Sequence, residues 1–370
     1  MKKHFQHLLS ASLLLLATAC WHRAEACTGL SLTAKDGSHV VARTCEWGGS
    51  DLMSRYVIVP RGQLIRSQME GREGMDFTTR YGYAGISVMA DEFVTEGMNE
   101  KGLSVGHFFF PGYGQYEKYD ASRAASTLAD VQLASYVLAN FATIDEAMEG
   151  IRKVHVTDLD PRSATSHWRI AEPGGRQIVV EIVGGEVKFY ENKVGVLTNS
   201  PGFEWHLTNL NNYVNMVAGN APDQALNPDM TLRSMGAGTG FLGMPGDVTP
   251  PSRFVRIAFY RATAPQYATG EETVMQTFHL LNNFDIPIGI EHARDQIPAG
   301  LPSATQWTTS VDQKAMRFYY RSAWNSSIRC IDLKAIDFGR VKYTSEPIDA
   351  SRTEPVQTVS YTHLTLPTKL

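Results

Sequence analysis

The sequence predicts an α+β fold in which antiparallel sheets are covered by helices on their outer faces. Three observations carry this. Strand-like runs cluster in residues 27–110 and return after a helical block, without the strict strand–helix alternation of parallel sheets. Tight-turn signals join successive runs directly, a connection open to antiparallel neighbours. With 370 residues and 43% apolar content, the chain has ample material for one large core or two ordinary ones.

The elements follow in chain order. "GLSLTAKDGSHVVA" is two short runs around an Asp36-Gly37 turn, a strong hairpin signal. "GISVMADEFVTEGMNEKGLSVGHFFF" predicts further strands, with the turn at 99–102. In "TIDEAMEGIRKV", Thr143 and Glu146 form a candidate capping box, and Ile144, Ala147, Met148 and Ile151 fall on one helix face. "RQIVVEIVGGEVKFYENKVGVLTN" then predicts a hairpin at Gly184-Gly185. Two more helices are expected, near 252–262 and in "EETVMQTFHLLNNF", where Val274, Phe278 and Leu281 align. Late strands lie in "TQWTTSVDQKAMRFYYRS". No repeat or linker divides the chain, so residues 27–350 are expected to form one domain. From Thr358, "TVSYTHLTLPTKL" lacks any periodicity and resembles translated adapter read-through. Residues 351–370 are therefore expected to lie outside the native structure.

The first residues read as an export signal. Lys2 and Lys3 precede an apolar core from Leu8 to Ala19, and Ala24-Glu25-Ala26 matches the pattern cut by signal peptidase. That core is shorter than the roughly 18–20 residues of a membrane-crossing helix, and no later segment is apolar enough to span a bilayer. Residues 1–26 are expected to be removed, exporting the chain to the periplasm or the medium with Cys27 first. A competing lipoprotein-like cut precedes Cys20, where the box has Ala17 in place of the usual Leu.

Composition narrows the function. A net charge of -4 with dispersed charges gives no nucleic-acid or anionic-membrane surface. No metal-ligand spacing, P-loop or dinucleotide fingerprint is present, so no metal or cofactor is expected. The mature chain keeps Cys27, Cys45 and Cys330, an odd number that leaves at least one thiol unpaired within the chain. A Cys45–Cys330 bridge or buried thiols would account for the other two.

A cysteine at residue 1 has a distinctive chemistry. Its α-amine titrates near about 7.7–8 and its thiol near about 8.5, so the amine can take the thiol proton at little cost. Nucleophile and base then come from one residue. An amide nitrogen is not a base, so the uncut chain would be inactive. Arg43, at the end of the strand returning alongside the first, would stabilise a thiolate and attract an anionic substrate. Glu46, three residues on, would bind or orient the amine.

The blocks "CTGLSL", "ARTCEWG", "GMNEKGLSV", "VGVLTNSPGFEWHLTNLNNY", "GMPGDVTPPSRFVR" and "LPSATQWTT" together resemble the choloylglycine hydrolase family, from Cys27 to about Lys342. This family of N-terminal-nucleophile amidases holds bile salt hydrolases and penicillin V acylases. The resemblance implies a four-layer αββα sandwich, often assembled as a tetramer. It implies that Cys27 is the nucleophile, Arg43 the arginine beside it, and Glu46 the acid that contacts the amine. Asn199 would donate to the oxyanion, and Arg253 would be a second site arginine. Phe109 would supply a backbone N–H to the oxyanion and a wall of the substrate pocket, and Cys45 would line that pocket.

Two departures stand out. Glu46 is one methylene longer than the Asp usual in the family. Phe109 replaces the Asn of many bile salt hydrolases, and its apolar face leans towards an aromatic or fatty acyl group. The expected reaction is two-step hydrolysis of a linear amide with an apolar acyl side. Conjugated bile salts, penicillin V-type amides and acyl-homoserine lactones all fit. His107, His167 and His206 read as core or surface residues. A papain-like site at Cys45 or Cys330 lacks its flanking signature. A non-catalytic exported binding protein on the same scaffold is the reading of a different class.

Overall fold

A computed structural model describes residues 25–69, 71–160 and 164–358. The signal segment up to residue 24, the Cys20 cleavage box and the tail from residue 359 lie outside the described residues.

Two antiparallel sheets are stacked face to face. The first holds six strands: β1 (Glu25–Thr33), β2 (His39–Trp47), β10 (Val196–Leu197), β11 (Thr305–Asp312), β12 (Arg317–Ser322) and β13 (Asn325–Asp332). Their spatial order is β10-β1-β2-β11-β12-β13. The second holds eight: β3 (Arg55–Val59), β4 (Tyr83–Ser87), β5 (Val94–Asn99), β6 (Ser104–Phe109), β7 (Ser166–Ala171), β8 (Gln177–Val183), β9 (Glu186–Glu191) and β14 (Thr344–Pro347). Their order is β9-β8-β7-β6-β5-β4-β3-β14. Helices α1 (Leu133–Asn140) and α2 (Ile144–Ile151) bury Leu133, Val137, Ile144 and Ile151 against the eight-stranded sheet. A short α3 (Phe203–Asn209) precedes α4 (Pro250–Thr263) and α5 (Gly270–Leu281), which cover the six-stranded sheet. Val41, Trp307, Val311 and Phe318 of one sheet meet Ala84, Ile86 and Met98 of the other in the middle layer. The expected αββα sandwich is the architecture found. Among the described residues, no helix is long and apolar enough to cross a membrane.

The hairpins form where the turn chemistry puts them. Asp36 Oδ1 accepts from the Ser38 N–H at 2.8 Å, and Gly37 takes φ +84°, a conformation costly for residues with a Cβ. Gly184 and Gly185 both have positive φ between β8 and β9. The helix caps differ from expectation. Thr143 Oγ1 accepts from the Glu146 N–H, but the Glu146 carboxylate takes the N–H of Ala142, one residue upstream of the cap. The reciprocal capping box belongs to Thr269 and Glu272, at the start of α5.

Cys45 and Cys330 are not bridged. Cys330 is exposed on β13, three strand positions from β2. At ~4.8 Å per strand that is about 14 Å, beyond disulfide reach. Residues 351–358 form no regular element, yet Glu354 accepts from Ser326 N at 2.9 Å and Arg352 pairs with Asp51.

Candidate active site

Strand β2 is central in its sheet, and from His39 to Glu46 every residue is buried. A strand covered on both faces normally reads as continuously apolar. "HVVARTCEW" instead buries Arg43, Thr44 and Glu46, and such groups are held only where partners offset their desolvation. The register explains what those partners are. Cys27 lies directly opposite Cys45, Gly29 opposite Arg43, and Ala26 opposite Glu46. Because side chains alternate, Cys27, Arg43 and Cys45 share the face towards the second sheet, while Ala26 and Glu46 share the helix-covered face.

On the inter-sheet face, Arg43 Nη2 donates to Cys27 Sγ at 2.6 Å. Its Nη1 donates to the carbonyls of His107 and Thr95, and its Nε to that of Thr44. The guanidinium lies 4.3 Å from the Phe108 ring centroid and 5.2 Å from that of Trp307. Glycine is needed at position 29 for this packing, since a Cβ there would meet Phe108 Cζ at 2.8 Å. Burial pushes the Cys27 thiol up, but four effects together outweigh it and bring it down to about 5. These are a hydrogen bond from Cys45, the Arg43 charge, the Phe109 N–H and the Arg253 charge. The Cys45 thiol is pushed up, first by its hydrogen bond to Cys27 and then by burial. The Arg43 contact and these opposite shifts favour ionisation at Cys27 over Cys45.

On the helix-covered side, Arg253 rises from the first turn of α4, whose entry is fixed by Pro250 and Pro251. Asp247 organises that entry, accepting from Ser252 Oγ at 2.6 Å and from Thr249 N at 2.9 Å. Arg253 Nη1 donates to the Cys27 carbonyl at 2.5 Å and to Thr28 Oγ1 at 2.8 Å. Its Nη2 donates to Asn199 Oδ1 at 2.7 Å. The same Asn199 oxygen accepts the Cys27 N–H at 2.7 Å, and Asn199 Nδ2 donates to the Phe109 carbonyl at 2.8 Å. Asn199 thus joins the backbone of β1 to the end of β6.

All the residues singled out in the sequence converge here, with one difference in contact. The expectation for Glu46 concerns the freed α-amine; here the Cys27 nitrogen is an amide, and it donates to Asn199. The physical reason is that Ala26 precedes Cys27, so the nitrogen is an amide with a single hydrogen, while Glu46 sits opposite Ala26 on the other face. Glu46 Oε1 accepts weakly from Thr305 Oγ1 at 3.4 Å, and its Oε2 is buried without a hydrogen-bond partner. Burial, and next the Cys27 charge, hold its carboxyl well above the usual range.

The three histidines are buried and engaged elsewhere. His107 Nε2 meets Ser166 Oγ at 2.7 Å, His167 lies between Glu181 and the Thr198 carbonyl, and His206 Nε2 meets the Asn199 carbonyl at 2.9 Å. Burial lowers His107 to about 3 and His206 to about 4. Several contributors carry no local signal in the sequence. Phe108 and Trp307 sandwich Arg43, Thr305 touches Glu46, and Trp47 meets Phe109 edge-on at 6.4 Å. Glu291 is a further one: both carboxylate oxygens are buried without partners, and burial raises it to about 7 against the pull of Arg253.

Comparison with known proteins agrees with this geometry. The model of linear amide C–N hydrolases of the choloylglycine hydrolase family matches residues 27–349. A bile salt hydrolase/transferase of Clostridium perfringens is 33% identical over 313 residues, covering 83% of this chain and 92% of the relative. A crystal structure of a conjugated bile acid hydrolase variant from Clostridium perfringens superposes with a TM-score of 0.79 at 29% identity, over 90% of this chain and all of that one. Penicillin V acylase from Agrobacterium tumefaciens gives a TM-score of 0.68 at 26% identity, over 85% of this chain and 88% of that one. A sandwich of this topology, with its buried arginine-bound thiol, belongs to the choloylglycine hydrolase family, and the chain is a linear amide C–N hydrolase.

Proposed function

We propose that Cys27, freed as the N-terminus by cleavage after Ala26, is the nucleophile of an exported amidase acting on amides with an apolar acyl group. The observation that carries this is the 2.6 Å contact of Arg43 Nη2 with Cys27 Sγ, one residue after an Ala-Glu-Ala cleavage pattern.

The Cys27 thiolate attacks the amide carbonyl. The carbonyl oxygen takes up negative charge, which the Phe109 N–H and the second Nδ2 hydrogen of Asn199 stabilise. The Cys27 α-ammonium gives a proton to the leaving amine as the C–N bond breaks, leaving a thioester and a neutral α-amine. That amine takes a proton from water as the water attacks the thioester, releasing the acid and regenerating the thiolate. Arg43 keeps the sulfur ionised throughout, and Arg253 steadies Asn199 and the Cys27 carbonyl. Glu46 Oε2, without a partner beside Ala26, receives the new ammonium once residues 1–26 are gone.

The substrates are conjugated bile salts or penicillin V-type amides, in keeping with the relatives' activities. Phe109 and Trp47 provide an apolar wall suited to either acyl group. The homotetramer expected from the resemblance is proposed as the assembled state. An exposed ribbon, Gln224–Asn227 with Met230–Leu232, and the flanking Val214, Met235 and Leu242 offer apolar surface for it. Side-by-side turnover of glycocholate, penicillin V and an acyl-homoserine lactone tests the assignment. Hydrolysis of either of the first two, lost in Cys27→Ser with the signal removed, supports it. Wild-type rates in that variant would overturn it.

A further inference from the structure

Cys45 is a second thiol beside the nucleophile, and the proposed hydrolysis forms no bond to its sulfur. It lies directly opposite Cys27 in the β1–β2 ladder, and both are free and buried. Residues directly opposite in an antiparallel pair have Cα atoms about 4.5–5.5 Å apart, inside the ~4.4–6.8 Å window that a disulfide spans. Their side chains share one face of the sheet, so the two sulfurs project side by side from neighbouring strands. Cys330, three strands away, has no such access.

We infer that Cys45 is a resolving thiol, which captures an oxidised Cys27 as a reversible cross-strand disulfide and switches the enzyme off in the presence of hydroperoxides. The Cys27 thiolate attacks one oxygen of hydrogen peroxide, forming an S–O bond as the O–O bond breaks and hydroxide leaves. The product is a sulfenic acid. The Cys45 sulfur then attacks the Cys27 sulfur, forming the S–S bond as the S–O bond breaks. The departing hydroxyl takes the Cys45 proton and leaves as water. Overall, two thiols and one peroxide give one disulfide and two waters. Without Cys45, the sulfenic acid remains open to a second peroxide and proceeds to the sulfinic acid, which thiols do not reduce.

The switch rests on Cys27 being the nucleophile, but the bridge itself is read by mass, so the two can fail separately. Mature protein is treated with near-stoichiometric hydrogen peroxide, then followed by intact mass, peptide mapping, thiol counting and turnover. The expected result is a loss of 2 Da, a peptide linking Cys27 to Cys45, and one thiol remaining of three. Turnover falls at least tenfold and returns with dithiothreitol. In Cys45→Ser, the same treatment gains 16 and then 32 Da at Cys27, and the loss of turnover no longer reverses fully. Wild-type protein that gains 16 or 32 Da without the 2 Da loss, or that bridges through Cys330, overturns the inference without recourse to any variant. A Cys27–Cys45 bridge that leaves turnover intact overturns the switch and the nucleophile together.

Discussion

The two faces of strand β2 differ in how complete they are. Towards the second sheet, Arg43 is saturated: it contacts three carbonyls, the Cys27 sulfur and two aromatic rings. Towards the helices, Glu46 has a long contact to Thr305 and a bare, buried Oε2. With Ala26 still attached, the sulfur is fully engaged and the Cys27 amide is held by Asn199, while Glu46 Oε2 has no partner. Under the proposed function, folding alone prepares the nucleophile, whereas the base is formed only by cleavage after Ala26. A buried carboxyl oxygen without a partner is costly, and in the proposed mature enzyme the freed ammonium would offset that cost.

Substitutions can break this contrast. Asn199 serves both faces, and Asn199→Ala is expected to lower kcat by about a hundred- to a thousandfold through loss of an oxyanion donor, measured on pre-cleaved protein. Arg43→Leu removes the saturated partner. Its loss raises the Cys27 thiol, so less thiolate is present at pH 7 and kcat/KM falls there by about tenfold or more. The acid limb of the wild-type rate lies at about pH 5, where the thiolate takes a proton; in Arg43→Leu that limb moves to higher pH. Glu46→Gln acts on the unfinished face. Removing a negative neighbour lowers the α-ammonium pKa, so the alkaline limb moves to lower pH, with a loss of about tenfold or less near pH 8. Gly29→Ala sharpens the packing side of the comparison. Its Cβ crowds Phe108 at 2.8 Å, and thermal unfolding is expected to show a loss of about 1–3 kcal/mol.

The hairpins, the two long helices and the convergence of Cys27 and Arg43 were legible because each is encoded locally. Asp36-Gly37 fixes the turn, and the turn fixes the register that brings Cys45 opposite Cys27. The two-layer stacking followed from the resemblance, not from periodicity. What was not legible depends on distant parts of the chain. Asn199 reaches the Cys27 nitrogen across 172 positions, and Thr305 reaches Glu46 across 259. Neither turn chemistry nor periodicity carries such distances. The seven-residue α3 is too short for a helical period to stand out, and at the Thr143 cap only the reciprocal contact moved, because Glu146 accepts the Ala142 N–H one residue upstream.

The central claim is that one residue supplies sulfur for attack and nitrogen for proton transfer. It is tested most directly by preparing the same protein with its first residue Cys27 and with Ala26 retained through an uncleavable leader, confirming each N-terminus by mass spectrometry, and comparing turnover of one amide. Full turnover is expected from the first and none from the second, with the thiol alkylating readily in both. Equal turnover from the chain that keeps Ala26 would contradict it.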